Sequence, residues 1–253
     1  MEIGLRDRVV LVTGGASRLG TAISTAFGRE GARVAITYHG NREAAEKVAV
    51  DVEAAGGSAH VLPFSLDDAG SAGEVVSNVV GRWGAIDVLV NCAVRWPETG
   101  PGPRLTSFDQ TAEWEAELDA NLKGTMRITH AALPVIRHSG AGRVVTLSTI
   151  HTQRGVPNSA LYTAAKAGLH GLTRSLAWEV GPDGVLVNIV MPGFVQPPFI
   201  PPPLALVVEE HRRLTPTGEL ATARQVADTV VFLCSAANGG ITGEIVRVSG
   251  GYL

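Results

Sequence analysis

Seven short apolar runs recur along this chain, separated by stretches that are mostly long enough for a helix. They cover residues 9–13, 33–37, 59–62, 86–91, 143–148, 185–190 and 245–248. Each run is continuously apolar rather than alternating, the pattern of a strand buried on both faces of a parallel sheet. Helical patterning covers 20–30, 41–55, 71–82, 112–138, 159–180 and 222–235. Gly31 suits the stop of the first helix and Asn41 the N-cap of the second. Gly56-Gly57 and Gly181-Pro182 close two others. Such alternation, with right-handed crossovers, predicts an α/β fold built on a doubly wound, parallel, seven-stranded sheet. No repeat or linker interrupts the pattern, so residues 1–253 are read as a single domain.

One segment stands apart, Pro197-Pro198-Phe199-Ile200-Pro201-Pro202-Pro203. Proline removes a backbone donor, which excludes a regular helix or a central strand. The segment follows the sixth run, on the carboxyl side of the sheet, where ligands bind in this architecture. A stiff proline-rich substrate loop near 196–214 is therefore expected.

The formal charge of −3 gives no reason to expect nucleic acid or an anionic membrane as a partner. Cys92 and Cys234 lie far apart, which argues against a disulfide framework and against a zinc site. Arg6, Asp7 and Arg8 interrupt any leader-like apolar start, and no run reaches bilayer-spanning length. A soluble, cytoplasmic protein without a metal is expected.

After the first strand comes Thr13-Gly14-Gly15-Ala16-Ser17-Arg18-Leu19-Gly20. A glycine-rich strand-to-helix turn brings backbone N–H groups close to a pyrophosphate, and the helix N-terminus favours its charge. The second strand ends in Thr37-Tyr38-His39-Gly40-Asn41-Arg42, with no acidic residue to accept a ribose 2′-hydroxyl. Arg18, His39, Asn41 and Arg42 offer donors and positive charge to a 2′-phosphate instead. NADP(H) is expected over NAD(H).

Tyr162 and Lys166 are four residues apart in a helical stretch, which puts both on one face. A phenol titrates at about 10 in water, and a neighbouring ammonium favours its ionised form. The pair suits proton transfer near neutral pH.

Together these motifs resemble the short-chain dehydrogenase/reductase family along essentially the whole chain. The glycine turn, Asn91-Cys92-Ala93-Val94 after the fourth strand, Asn121-Leu122-Lys123-Gly124-Thr125 in the long helix, the Tyr162–Lys166 pair, Pro192-Gly193 after the sixth strand and Gly250-Gly251 occur in the family's order. The resemblance implies a Rossmann-type fold and hydride transfer between a nicotinamide and a keto or hydroxyl carbon. It makes Tyr162 the general acid, Lys166 the residue that holds the nicotinamide ribose, and Asn121 the residue that positions a relay water. The family serine falls at Thr149, with Ser148 just before it as the alternative donor. The cofactor set it implies is Gly14, Ser17, Arg18, Leu19, Gly20, Tyr38, His39, Asn41, Arg42, Ser65, Leu66, Asn91, Ala93, Tyr162, Lys166, Pro192, Gly193 and Val195.

Four positions depart from the family pattern: Arg18 and Val94 replace glycines, Ser65 an aspartate and Pro197 a threonine. Trp96, His151 and Phe194 are candidates to face substrate, and the loops at 95–108 and 196–206 should shape its pocket. The resemblance points to a 3-oxoacyl-carrier-protein reductase or a specialised ketoreductase, acting on a small or carrier-bound carbonyl or alcohol. It also implies a homotetramer or homodimer. Arg18 and the Tyr38-His39 pair leave a pteridine-reductase-like enzyme as an alternative. The four departures leave a catalytically weak nucleotide-binding regulatory protein as another.

Overall fold

The computed structural model describes residues 3–96 and 111–252; the expectation for the loop at 97–108 lies outside the described residues. The chain runs β1 (Val9–Thr13), α1 (Arg18–Arg29), β2 (Arg33–Tyr38), α2 (Arg42–Ala54), β3 (Ser58–Pro63), α3 (Ser71–Trp83) and β4 (Val88–Asn91). It continues through α4 (Thr111–Leu118), a π-helical turn (Asp119–Gly124), α5 (Thr125–Arg137), β5 (Arg143–Leu147), α6 (His151–Arg154) and α7 (Ala160–Val180). A 3₁₀ turn (Gly181–Asp183), β6 (Leu186–Pro192), α8 (Pro202–Arg213), α9 (Ala223–Cys234) and β7 (Ile245–Val248) complete it.

The seven strands form one parallel sheet in the order β3-β2-β1-β4-β5-β6-β7. The doubly wound expectation is met. The continuous apolar runs have a direct cause in β1. Val10 and Val12 pack with Ile23 and Phe27 of α1 and Val226 and Val230 of α9. Val9 and Leu11 join the opposite core, with Val79 of α3, Ile128 and Ile136 of α5 and Val180 of α7. Neither face of the strand meets water, so neither carries polar residues.

Two expectations are corrected. The proline-rich segment is not a loop throughout, because Pro202 and Pro203 are the first two residues of α8. First-turn N–H groups have no intrahelical acceptor, so proline removes nothing there and its fixed φ suits the helix. The long helix at 112–138 is likewise not uniform, since a π turn interrupts it around Asn121. Gly124 closes that turn against β3's outgoing loop. A Cβ on it would stand 2.6 Å from the Leu66 carbonyl oxygen, so only glycine allows this approach.

The chain reverses its winding between β1 and β4, whose neighbours lie on opposite sides. The crevice outside their carboxyl ends is the ligand-binding position of such a sheet. The Tyr162 end of α7 and the loop after β6 also come to this edge of the sheet.

Candidate active site

The β1–α1 turn is shaped by close backbone approaches. Gly14 has φ +62, and a Cβ on it would meet the Ala93 Cα at 2.8 Å. A Cβ on Gly20 would overlap the Gly14 carbonyl oxygen. Ser17 caps α1, its Oγ accepting from the Gly20 N–H at 3.1 Å. Thr13 Oγ1 accepts from the N–H groups of Cys92 (3.0 Å) and Ala93 (3.1 Å), tying the ends of β1 and β4 together.

These contacts leave a cavity of about 400 Å³. Of the expected cofactor residues, Gly14, Ser17, Tyr38, His39, Asn41, Ser65, Leu66 and Ala93 line it, as do Val94 and Trp96. Glycine backbone and a helix N-terminus fit the pyrophosphate of a dinucleotide, and the end of β2 carries no acidic residue. Asp67 also lines the cavity, next to Leu66.

The other expected residues stand elsewhere. Arg42 is turned along α2 to Glu46, 2.8 Å away in a solvent-exposed pair. Asn91 lies beneath the cleft floor, its Nδ2 donating to Thr129 Oγ1 (3.0 Å) and Thr146 Oγ1 (3.2 Å). Leu19 packs on the α1 side of the core. Pro192 ends β6, and the Gly193 N–H donates to the Val248 carbonyl at 2.9 Å. Arg18 reaches across the carboxyl edge, its Nη2 donating to the Val195 carbonyl at 3.4 Å.

Tyr162 is buried, with rings on two sides. The Trp96 ring centroid lies 5.3 Å from it and that of His151 6.1 Å, nearly edge-on. The Thr149 hydroxyl stands near the phenol and favours its ionised form, against the larger effect of burial, and the same Thr149 Oγ1 accepts from the His151 N–H at 3.3 Å. Ser148 is engaged elsewhere, its Oγ 2.7 Å from His170 Nε2. Phe194 packs on His211 of α8 at 4.6 Å rather than on Tyr162, and His211 in turn faces Tyr252 at 5.4 Å.

Lys166 is also buried. Its Nζ donates to the Leu147 carbonyl at 3.1 Å and sits 6.0 Å from the Tyr162 ring centroid. Burial lowers its pKa to about 8. Burial pushes the phenol up, and the nearby Glu117 carboxylate pushes the same way. The expectation that the ammonium depresses the phenol is not met in this state. Desolvation of a phenolate exceeds the attraction of an ammonium that does not touch the oxygen.

Asn121 is fully buried, and its side chain is engaged on two neighbours. Its Oδ1 accepts from the Arg95 N–H (2.9 Å), and its Nδ2 donates to the Arg95 carbonyl (2.9 Å) and to Glu117 Oε1 (2.7 Å). Glu117 belongs to none of the motifs above. Its place four residues before Asn121, on the same helical face, was the available signal. Among the described residues no cluster of His, Cys, Asp or Glu could hold a metal ion, and no helix is long and apolar enough to cross a membrane.

Comparisons with known proteins agree with this arrangement. Residues 14–253 match the family model described as enoyl-(acyl carrier protein) reductase. The chain is 35% identical to the short-chain reductase protein NovJ of Streptomyces niveus, over 97% of this chain and 94% of that protein. It is 32% identical to the 3-oxoacyl-[acyl-carrier-protein] reductase FabG of Staphylococcus aureus, over 95% and 96% of the two chains. Among solved structures, a short-chain dehydrogenase/reductase from Serratia marcescens superposes with a TM-score of 0.87 at 27% identity, covering 98% of both chains. The chain thus belongs to the short-chain dehydrogenase/reductase family, oxidoreductases that act on CH–OH and C=O groups.

Proposed function

We propose that the protein is an NADP(H)-dependent carbonyl reductase in which Tyr162 delivers the proton. The observation that carries this reading is the Tyr162 hydroxyl itself. It stands near the Thr149 hydroxyl, flanked by Trp96 and His151, and is set at the carboxyl edge of the sheet near the cavity lined by Gly14, Ser17 and Trp96. When bound, the nicotinamide supplies hydride in reduction and takes it up in oxidation. Thr149 and Tyr162 hold the substrate oxygen. A hydroxyl donor aimed at that oxygen stabilises the charge that develops there. Tyr162, kept protonated by its buried surroundings, then gives its proton to the forming alkoxide. Lys166 would hold the nicotinamide ribose with its buried positive charge. Asn121 holds the Arg95 backbone and with it the loop that carries Trp96.

The coenzyme preference rests on His39 and Asn41 at the cavity rim and on Arg42 next to them. Among the described residues the Arg42 side chain is held by one solvent-screened i,i+4 pair, which leaves it able to turn to a 2′-phosphate. The relatives named as 3-oxoacyl-carrier-protein reductases make a β-keto acyl thioester the first substrate class to try. A panel of β-keto thioesters and free ketones, followed by NADPH absorbance, tests the reading. Turnover with at least one keto compound, and less with NADH, is expected. Tight NADPH binding without turnover of any carbonyl would favour a nucleotide-binding regulatory protein.

A further inference from the structure

Glu117 is a buried carboxylate that the proton chemistry above does not use. It lies on α4, one helical turn before Asn121, and is 2% exposed. Its Oε1 accepts from Asn121 Nδ2 at 2.7 Å. Its Oε2 is fully buried and has no hydrogen-bond partner among the described residues. A carboxylate left in this state is costly unless positive charge stands nearby. The charged and titratable groups that face it come from three directions. Arg95 approaches from the loop after β4, Glu113 from the preceding turn of α4, and Lys166 and Tyr162 from α7. Burial pushes the Glu117 carboxyl up, while the Asn121 hydrogen bond, then Arg95, then Lys166 favour its ionised form. The Arg95 guanidinium reaches Glu113 at 3.8 Å, and the Arg95 backbone is clamped at both ends by Asn121.

The connectivity therefore runs from Glu117 through Asn121 to the Arg95 backbone. It continues to Trp96, whose ring lies 5.3 Å from that of Tyr162. The carboxylate is joined to the reacting end of the site by geometry and to Lys166 by charge. We propose that Glu117 is a positioning residue for proton transfer at Tyr162, acting as the buried counter-charge of Lys166 while it orients Asn121. This rests on the reading of Tyr162 as the proton donor. Burial drives the Lys166 ammonium toward its neutral form, and Cys92 and then Glu117 oppose that. Burial also keeps the Tyr162 phenol protonated, and the Glu117 carboxylate adds to that. Removing it should move both groups toward lower pH.

The chain has only three lysines, Lys47, Lys123 and Lys166, which makes the test direct. Protein labelled with ¹³Cε-lysine gives three resonances, and Lys166→Arg assigns the buried one. In Glu117→Gln, which keeps an acceptor for Asn121, the Lys166 midpoint should fall by roughly half a pH unit or more. Glu117→Leu, the second neutral variant, should do the same. Glu117→Asp should stay near the wild type. In carbonyl reduction the alkaline limb of the kcat profile of Glu117→Gln should move to lower pH in parallel. A Lys166 midpoint unchanged in both neutral variants overturns the proposal, as does a rate profile that superimposes on the wild type's. The NMR readout needs no turnover, so failure of the carbonyl-reductase reading would be told apart from failure of this one.

Discussion

Ser148 Oγ lies 2.7 Å from His170 Nε2, both inside the core, while the Thr149 hydroxyl one residue later stands near the Tyr162 phenol. Adjacent residues on an extended segment point to opposite sides, so only one of these hydroxyls can serve the site. Thr149→Ala should lower kcat by roughly 10²–10³, the cost of losing one oxyanion donor. Ser148→Ala should leave kcat within a few-fold and instead lower stability by about 1–2 kcal/mol, because His170 loses its buried partner. Steady-state kinetics and urea melts on the two variants separate the roles. The reverse pattern would assign the donor to Ser148.

Lys166 is held in a place that disfavours its charge. Its folded pKa, about 8, lies below the ordinary lysine value. A base depressed in this way destabilises the fold fully below its folded pKa, and the penalty fades as pH rises toward the unfolded value. Lys166→Met should therefore raise the stability of the ligand-free protein at pH 7. The gross gain is ~3 kcal/mol, less about 1 kcal/mol for the lost bond to the Leu147 carbonyl. The advantage should shrink between pH 8 and roughly 10.5. Denaturant melts at several pH values check this, alongside a loss of turnover. A variant less stable than wild type at pH 7 would show that the buried lysine is not under strain.

Arg42 and Glu46 form an exposed pair at the start of α2, beside a cavity rim that carries His39 and Asn41. If Arg42 turns to the 2′-phosphate, Arg42→Ala should weaken NADPH binding on the order of tenfold and leave NADH nearly unchanged. The NADPH dependence on salt should weaken as well. Titration by intrinsic fluorescence measures both coenzymes. Equal losses for the two would remove Arg42 from the preference.

Gly124 allows the π turn to press against Leu66. Gly124→Ala puts a methyl within 2.6 Å of the Leu66 carbonyl oxygen and 3.0 Å of its side chain. Either the turn or the loop after β3 must shift. The expected cost is about 1–3 kcal/mol in stability. A drop in NADPH affinity should accompany it, since Leu66 lines the cavity. A variant with unchanged melting and unchanged Kd would show that the approach is soft.

Much of this was legible from residues alone, for identifiable reasons. β1 and β7 run where the apolar runs place them, and the remaining strands differ by one or two residues at their ends. Strands buried on both faces leave a signal that needs no neighbours to interpret. The helix at Pro202–Arg213 was hidden because its first residues are prolines, which read as breakers unless they occupy the first turn. The π turn was hidden because it is an irregularity within an uninterrupted helical pattern. Arg42 and Asn91 show the limit at the site. Sequence places both beside the cofactor region, yet the ion pair to Glu46 and the hydrogen bonds to Thr129 and Thr146 decide where their side chains go. Glu117 carries no distinguishing signal of its own in the sequence, because a Glu on a helix usually faces water. Only the fold reveals that this one is enclosed.

The central claim is that Tyr162 donates the proton in carbonyl reduction. Tyr162→Phe keeps the ring between Trp96 and His151 and removes only the hydroxyl. Single-turnover oxidation of NADPH in the presence of a keto substrate measures the step directly. The account predicts a loss of roughly 10²–10⁴ in rate with the NADPH Kd unchanged. A variant that turns over within twofold of the wild type would contradict it.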